Sequence, residues 1–236
     1  MARTQDGQAL EIDGTRLTLA QLREFEASRP RVQLAGSARE RMQLSVAAVE
    51  RAVERGEVTY GINTGFGAFA NRIIPAAQTR KLQLNLIRSH ACGTGAPLPA
   101  HIVRRMLLLK ANSLAAGYSG ARPLLAELLL ALLNEDVLPV VPSQGSVGAS
   151  GDLAPLAHIG LALIGEGEAQ RGDEMLRDSA VMRAVGHEPI VLQAKEGLAL
   201  LNGTQLSLAL ALEGLFQSER LLDAAIVAGA LTVEGL

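Results

Sequence analysis

At 236 residues the chain is long enough to bury a substantial core, as one large domain or two small ones. Its 22 basic and 24 acidic residues leave a formal charge of -2, and only 3% of residues are aromatic, which argues against nucleic acid as a partner. The single cysteine, Cys92, cannot form an internal disulfide or build a cysteine-based metal cage, and a reducing cytoplasm is its simplest setting.

The opening residues MARTQDGQ have no apolar core and no cleavage pattern, so a secretory signal is not expected. Leu10-Glu11-Ile12, Asp13-Gly14 and Arg16-Leu17-Thr18 together read as a short hairpin, followed by a helix. Ser37 and Glu40 have capping-box spacing ahead of Met42, Leu44, Val46, Val49 and Val53, and Gly56 stops that helix near Arg55. GINTGFG, residues 61 to 67, has three glycines and no period, so it is a loop that bends sharply or approaches something closely.

Helical texture resumes near Gln78 to His90, again from Pro99 to Ala116 with Gly117 as the stop, and after Ser119 as far as Asn134. PSQGSVGASGDLAP, residues 142 to 155, is a Gly/Ser-rich irregular segment inside an apolar chain, and such a loop reads as functional. An apolar helix from about Leu156 to Ile164, a polar hairpin centred on Gly172-Asp173, and a long Leu/Ala helix from near Gly203 complete the pattern. The uncharged stretch Gly197 to Leu212 is shorter than a membrane span and contains Asn202, Thr204, Gln205 and Ser207, so it reads as a buried helix and no membrane partner is expected. Abundant Leu and Ala point to helices packed on helices, within and across subunits. The fold class is therefore mainly α, with a small mixed N-terminal part containing short hairpins. Residues 1–200 form a first domain carrying the loop, and 201–236 begin a helical bundle.

Gly148-Ala149-Ser150-Gly151-Asp152-Leu153 resembles the signature of the histidine, phenylalanine and tyrosine ammonia-lyases and their aminomutase relatives. YGINTGFG at 60 to 67, RSHACGTG at 88 to 95, GYSGARP at 117 to 123 and KEGLALLNGTQ at 195 to 205 agree with that family in the same order. The resemblance runs from about residue 10 onward and is to the first half of the histidine ammonia-lyase branch. It implies an ammonia-lyase-like fold entering a long helical bundle, and a homotetramer. It also implies that Ala149-Ser150-Gly151 cyclises with loss of two waters to a methylidene-imidazolone, with no external cofactor and no metal.

Each residue type suits that chemistry. Glycine at 151 leaves its amide nitrogen unhindered, Ser150 supplies the hydroxyl that is eliminated, Ala149 keeps the closing ring uncrowded, and Asp152 could accept or relay protons. Tyr60 matches the family's catalytic base, which removes the substrate β-proton, and Gly61, Gly65 and Gly67 would let their loop close as a lid. Asn202 matches an asparagine contacting substrate and ring, its ordinary alternative being a helix N-cap. The pair Ser89-His90 resembles the histidine-specific branch, where a polar ring can hydrogen-bond an imidazole, so L-histidine is the implied substrate and trans-urocanate the product. His101, His158 and His187 read as satisfied core residues, and Cys92 as a small packing residue. Two other readings share these residues: an aminomutase, separable by its products, and a noncatalytic helical assembly module, separable by an uncyclised Ala149-Ser150-Gly151.

Overall fold

The computed structural model describes residues 9–15, 17–56, 59, 61–62, 64, 74–148 and 150–235, and the side chains of 76 and 77 are not described. Strand β1 (Leu10–Ile12) does not turn back on itself as a hairpin. Asp13 Oδ1 accepts from the Thr15 amide at 2.9 Å and from the Thr15 hydroxyl at 2.6 Å, closing an Asx-type turn. Thr18 then caps helix α1 (Leu19–Ser28) in a capping box with Gln21, so Thr18, expected in a second strand, instead starts a helix. The partner of β1 is β2 (Val32–Leu34), lying parallel with Leu10 opposite Val32 and Ile12 opposite Leu34.

Helix α2 (Gly36–Glu54) also begins differently from expectation. Ala35, whose amide donates to the Ile12 carbonyl at 2.9 Å, is its N-cap, and no side chain caps it. The ladder thus fixes the start, Ser37 falls inside the first turn, and the Ser37/Glu40 capping box does not form. Met42 and Val49 are buried as the stripe requires, whereas Leu44 is 71% exposed.

Helix α3 (Ala76–His90) leads into strand β3 (Thr94–Pro97), followed by α4 (Ala100–Ala115) and α5 (Pro123–Asn134), the last opened by Pro123 in its first turn. α4 and α5 pack together at the centre of the core, burying Met106, Leu107, Leu108, Leu125, Leu129 and Leu132. Each such side chain contributes about 1.5 to 3 kcal/mol when removed from water. Strands β4 (Leu138–Pro139) and β5 (Pro142–Gln144) follow, and β5 pairs antiparallel with β3. Helix α6 (Leu153–Ile164) starts inside the segment read as irregular, earlier than Leu156.

β6 (Glu168–Arg171) and β7 (Glu174–Arg177) form the polar hairpin expected around Gly172-Asp173, with β4 on the far side of β6. A short α7 (Ser179–Arg183) precedes α8 (Glu196–Leu201) and α9 (Gln205–Glu234). The stretch from Gly197 to Leu212 is therefore not one helix: it breaks at Asn202-Gly203-Thr204. α9 is held to α4 by the buried Arg105, which pairs with Glu213 at 2.7 Å and with Glu26 of α1. Among the described residues, no helix is long and apolar enough to cross a membrane.

Candidate active site

The loop before α6 is fixed from its C-terminal side. Gly151 forms an isolated parallel bridge with Gly203 in the break between α8 and α9, and the Asp152 amide donates to the Gly203 carbonyl at 2.7 Å. Gly151 sits at φ +106, and a Cβ there would lie 2.2 Å from that carbonyl oxygen, so only glycine fits without displacing backbone. Ser150 is exposed, and Ala149 lies outside the described residues.

Asp152 is fully buried, and its carboxylate accepts three hydrogen bonds. Oδ1 takes the hydroxyls of Ser146 and Ser207, each at 2.8 Å, and Oδ2 takes the Ser207 amide at 2.8 Å. Ser207 lies in the first turn of α9, where amides have no partner within the helix and the macrodipole favours an anion. Asp152 thus caps α9 across a sequence gap of 55 residues and ties the loop to that helix.

The other predicted positions are distributed around this anchor. His90 ends α3, half-buried, with Nδ1 2.8 Å from the Leu86 carbonyl and 3.1 Å from the Ser89 hydroxyl. A ring nitrogen facing a carbonyl carries the proton, which leaves the lone pair of the neutral imidazole on Nε2. The β3–β5 pairing then brings the residues after His90 alongside those that open the loop. Asn202 is exposed and is the C-cap of α8, its amide donating to the Leu198 carbonyl at 2.9 Å. It does not cap α9, whose N-cap is Thr204. Gly61 is buried, with its amide 3.3 Å from the Thr64 hydroxyl. Tyr60, Gly65 and Gly67 lie outside the described residues, so the base and most of the lid expectation do too.

His101, His187 and Cys92 differ from the sequence reading. His101 is about half exposed and pairs with Glu213 at 3.3 Å, and His187 and Cys92 are exposed; none of the three is a core residue. His158, on α6, is partly buried, and its Nε2 accepts the Gly93 amide at 3.2 Å. Desolvation holds its pKa below the usual imidazole value, consistent with a neutral acceptor. His158 thereby links the helix behind the loop to the segment following His90. Lys110 on α4 is a further buried polar group, not among the residues expected at the site: its ammonium donates to the Asn202 carbonyl at 2.9 Å. One sequence signal existed for each, a polar residue interrupting an apolar run: Lys110 after Met106-Leu107-Leu108-Leu109, and His158 between Leu156-Ala157 and Ile159.

Comparison with known proteins agrees with this arrangement. The sequence matches the family model described as aromatic amino acid lyase over residues 17–236. It is 54% identical over 221 residues to a histidine ammonia-lyase of Paracidovorax citrulli (strain AAC00-1), covering 94% of this chain and 43% of the relative. It is 51% identical over 236 residues to a histidine ammonia-lyase of Anaeromyxobacter dehalogenans (strain 2CP-C), covering 97% and 46%. The chain thus spans less than half the length of these curated relatives. Among solved structures, the histidine ammonia-lyase of Trypanosoma cruzi superimposes with a TM-score of 0.79 at 38% identity, covering 87% of this chain and 40% of that one. The ergothioneine-degrading ergothionase of Treponema denticola does so with a TM-score of 0.86 at 28% identity, covering 91% and 43%. With the sequence match running through both the glycine-clamped loop and the helices that hold it, the chain belongs to the aromatic amino acid lyase family.

Proposed function

We propose that the intact protein eliminates ammonia from L-histidine to give trans-urocanate, in the cytoplasm, with a methylidene-imidazolone formed from Ala149, Ser150 and Gly151. The observation carrying this reading is the clamp at Gly151. The backbone of Gly203 occupies the space a Cβ would need, and the buried Asp152 pins the following peptide, so the segment is fixed at its Gly151 end, which supports a site of cyclisation there. The residues present therefore fit the group: an exposed Ser150 hydroxyl to be lost, and an unhindered nitrogen at Gly151 to close on the Ala149 carbonyl.

Once formed, the ring supplies an uncharged electrophilic carbon that no ordinary side chain provides. The chain's own groups would do the remainder. The Tyr60 phenolic oxygen takes the substrate β-proton, His90 Nε2 accepts from the substrate imidazole, and the Asn202 amide donates to the substrate carboxylate without adding charge. Gly61, Gly65 and Gly67 belong to the loop that excludes water during the reaction. The relatives named histidine ammonia-lyase support histidine over tyrosine or phenylalanine as substrate. The second half of α9 supports assembly, and we assign it to a homotetramer: Leu221, Leu222, Ile226, Val227 and Leu231 are 59% to 70% exposed.

The test is an intact mass combined with product analysis on L-histidine, L-tyrosine and L-phenylalanine. The protein should weigh two waters less than its sequence and release urocanate and ammonia from histidine, and Ser150→Ala should abolish both. An uncyclised parent, a β-amino acid product, or an active Ser150→Ala variant would refute the reading.

A further inference from the structure

Lys110 is 1% exposed and lies on the core helix α4, where a side chain of the same length without charge would fill the volume at no electrostatic cost. Burial pushes its ammonium down to about 7, so the fold carries a heavily desolvated amine at this position. The group is aimed at a neutral acceptor, the carbonyl of Asn202, 2.9 Å away. That carbonyl lies at the start of the break between α8 and α9. The next carbonyl along, that of Gly203, accepts the Asp152 amide at 2.7 Å and forms the wall against which Gly151 is packed. Two successive peptides therefore carry the two attachments, one to the core helix and one to the loop.

We propose that Lys110 is a positioning residue of the active site: it fixes the Asn202 carbonyl, and thereby sets both the aim of the Asn202 side chain and the position of the Gly203 carbonyl that clamps Gly151. This rests on the proposed function above, in which Asn202 contacts substrate and the loop cyclises. Without the donor, the link Asn202-Gly203-Thr204 joins two helices with no tie to α4 at Asn202, and both attachments loosen together. The amine donates whether charged or neutral, so the tie holds on either side of its depressed pKa. An Nζ hydrogen bond to a partly buried carbonyl is of the class whose loss changes rates by about ten- to a hundredfold when it orients a reacting group.

The experiment is a double-mutant cycle in the intact protein. Lys110→Met retains an apolar chain as far as the ε position and removes the donor, and Asn202→Ala removes the amide through which Lys110 acts on substrate. Each is measured for the two-water loss by mass and for kcat/KM with L-histidine per cyclised chain. Lys110→Met should cyclise less completely and lose about ten- to a hundredfold in kcat/KM. The double variant should be no worse than about twofold below the weaker single one, because both changes remove one interaction. Parental kcat/KM in Lys110→Met, or losses that multiply in the double variant, overturn the inference while leaving the function standing. A parent that neither cyclises nor releases urocanate overturns the function itself. If Lys110→Met does not accumulate as folded protein, the same cycle with Lys110→Gln, one bond shorter and so withdrawn from the carbonyl, carries the test by the same criterion.

Discussion

Gly151→Ala is the substitution whose cost the geometry defines most directly. The added Cβ would stand 2.2 Å from the Gly203 oxygen and 2.9 Å from its carbonyl carbon, both backbone atoms, so the two segments must part by about an ångström to reach ordinary contact. A φ of +106 for an L residue costs about 1 to 3 kcal/mol. Losing the Asp152 amide bond to Gly203 costs about 0.5 to 1.5 kcal/mol more. The sum, about 1.5 to 4.5 kcal/mol, shifts the loop away from its bent form by roughly one to three powers of ten. Mass analysis of the proteolytic peptide spanning the loop should find the two-water loss nearly absent in Gly151→Ala. Gly148→Ala supplies the control: it also has a positive φ, +68, yet nothing lies within 4 Å of its Cβ, so only the dihedral cost of about 1 to 2 kcal/mol applies. Parental cyclisation in Gly151→Ala, or equal damage from Gly148→Ala, would show that contact with Gly203 is not what shapes the loop.

Tyr60→Phe should retain the two-water loss and lose elimination, because the phenol acts on substrate and not on ring formation; turnover of histidine at the parental rate would assign the base elsewhere. Replacing Ser89-His90 by His-Leu removes the imidazole whose Nδ1 is held by Leu86, and should lower kcat/KM for L-histidine relative to L-tyrosine by tenfold or more; an unchanged ratio removes His90 from specificity. His158 predicts a pH dependence of stability. Its folded pKa lies below the ordinary value, so between that depressed value and about 6.5 the unfolded chain binds more protons than the folded one, and stability rises with pH through this window. Tm of the parent should climb there and level above it, and His158→Gln should flatten the slope; an identical slope in both proteins would place the dependence on other groups.

How legible these features were depended on how local they are. The end of α4 before Gly117 and the turn at Gly172-Asp173 are set by residues adjacent in sequence, and each is where the sequence indicates, whereas α5 begins at Pro123, later than the expected start after Ser119. β1 failed because its partner lies beyond an intervening helix, while the turn residues Asp13 and Gly14 that suggest a hairpin serve other ends: Gly14 donates its amide to Asn112 at 3.1 Å. The break between α8 and α9 was hidden because Leu and Ala continue on both sides of it, and only Asn202-Gly203 marks it. In the site, the residue types of the loop were readable from the family signature they resemble. Their supports were not: Ser146 and Ser207 look like any polar residues, and nothing at position 110 says that its ammonium will meet a carbonyl 92 residues away.

The supports have one physical origin. A break between helices exposes amides at the start of the second helix and carbonyls at the end of the first, and in a buried setting these must find partners or cost stability. α8 takes Gln83 of α3 for its third amide, with Oε1 accepting from Leu198 at 3.2 Å. The Asn202 carbonyl takes Lys110 of α4, and the first turn of α9 takes Asp152 from the loop. Each obligation is met by a different element, so the bend at Gly151 needs the docking of α3, α4, α6, α8 and α9 together as well as the glycine that tolerates it. An unfolded chain has the same Ala149-Ser150-Gly151 with none of these attachments, and its flexible backbone would bring nitrogen and carbonyl into line only rarely. The orphaned groups of an interrupted helix, satisfied from outside it, fix an ordinary Gly/Ser segment at Ser146, Gly151 and Asp152. Local reading therefore identifies which residues could react, while tertiary packing decides how Gly151 and Asp152 are held.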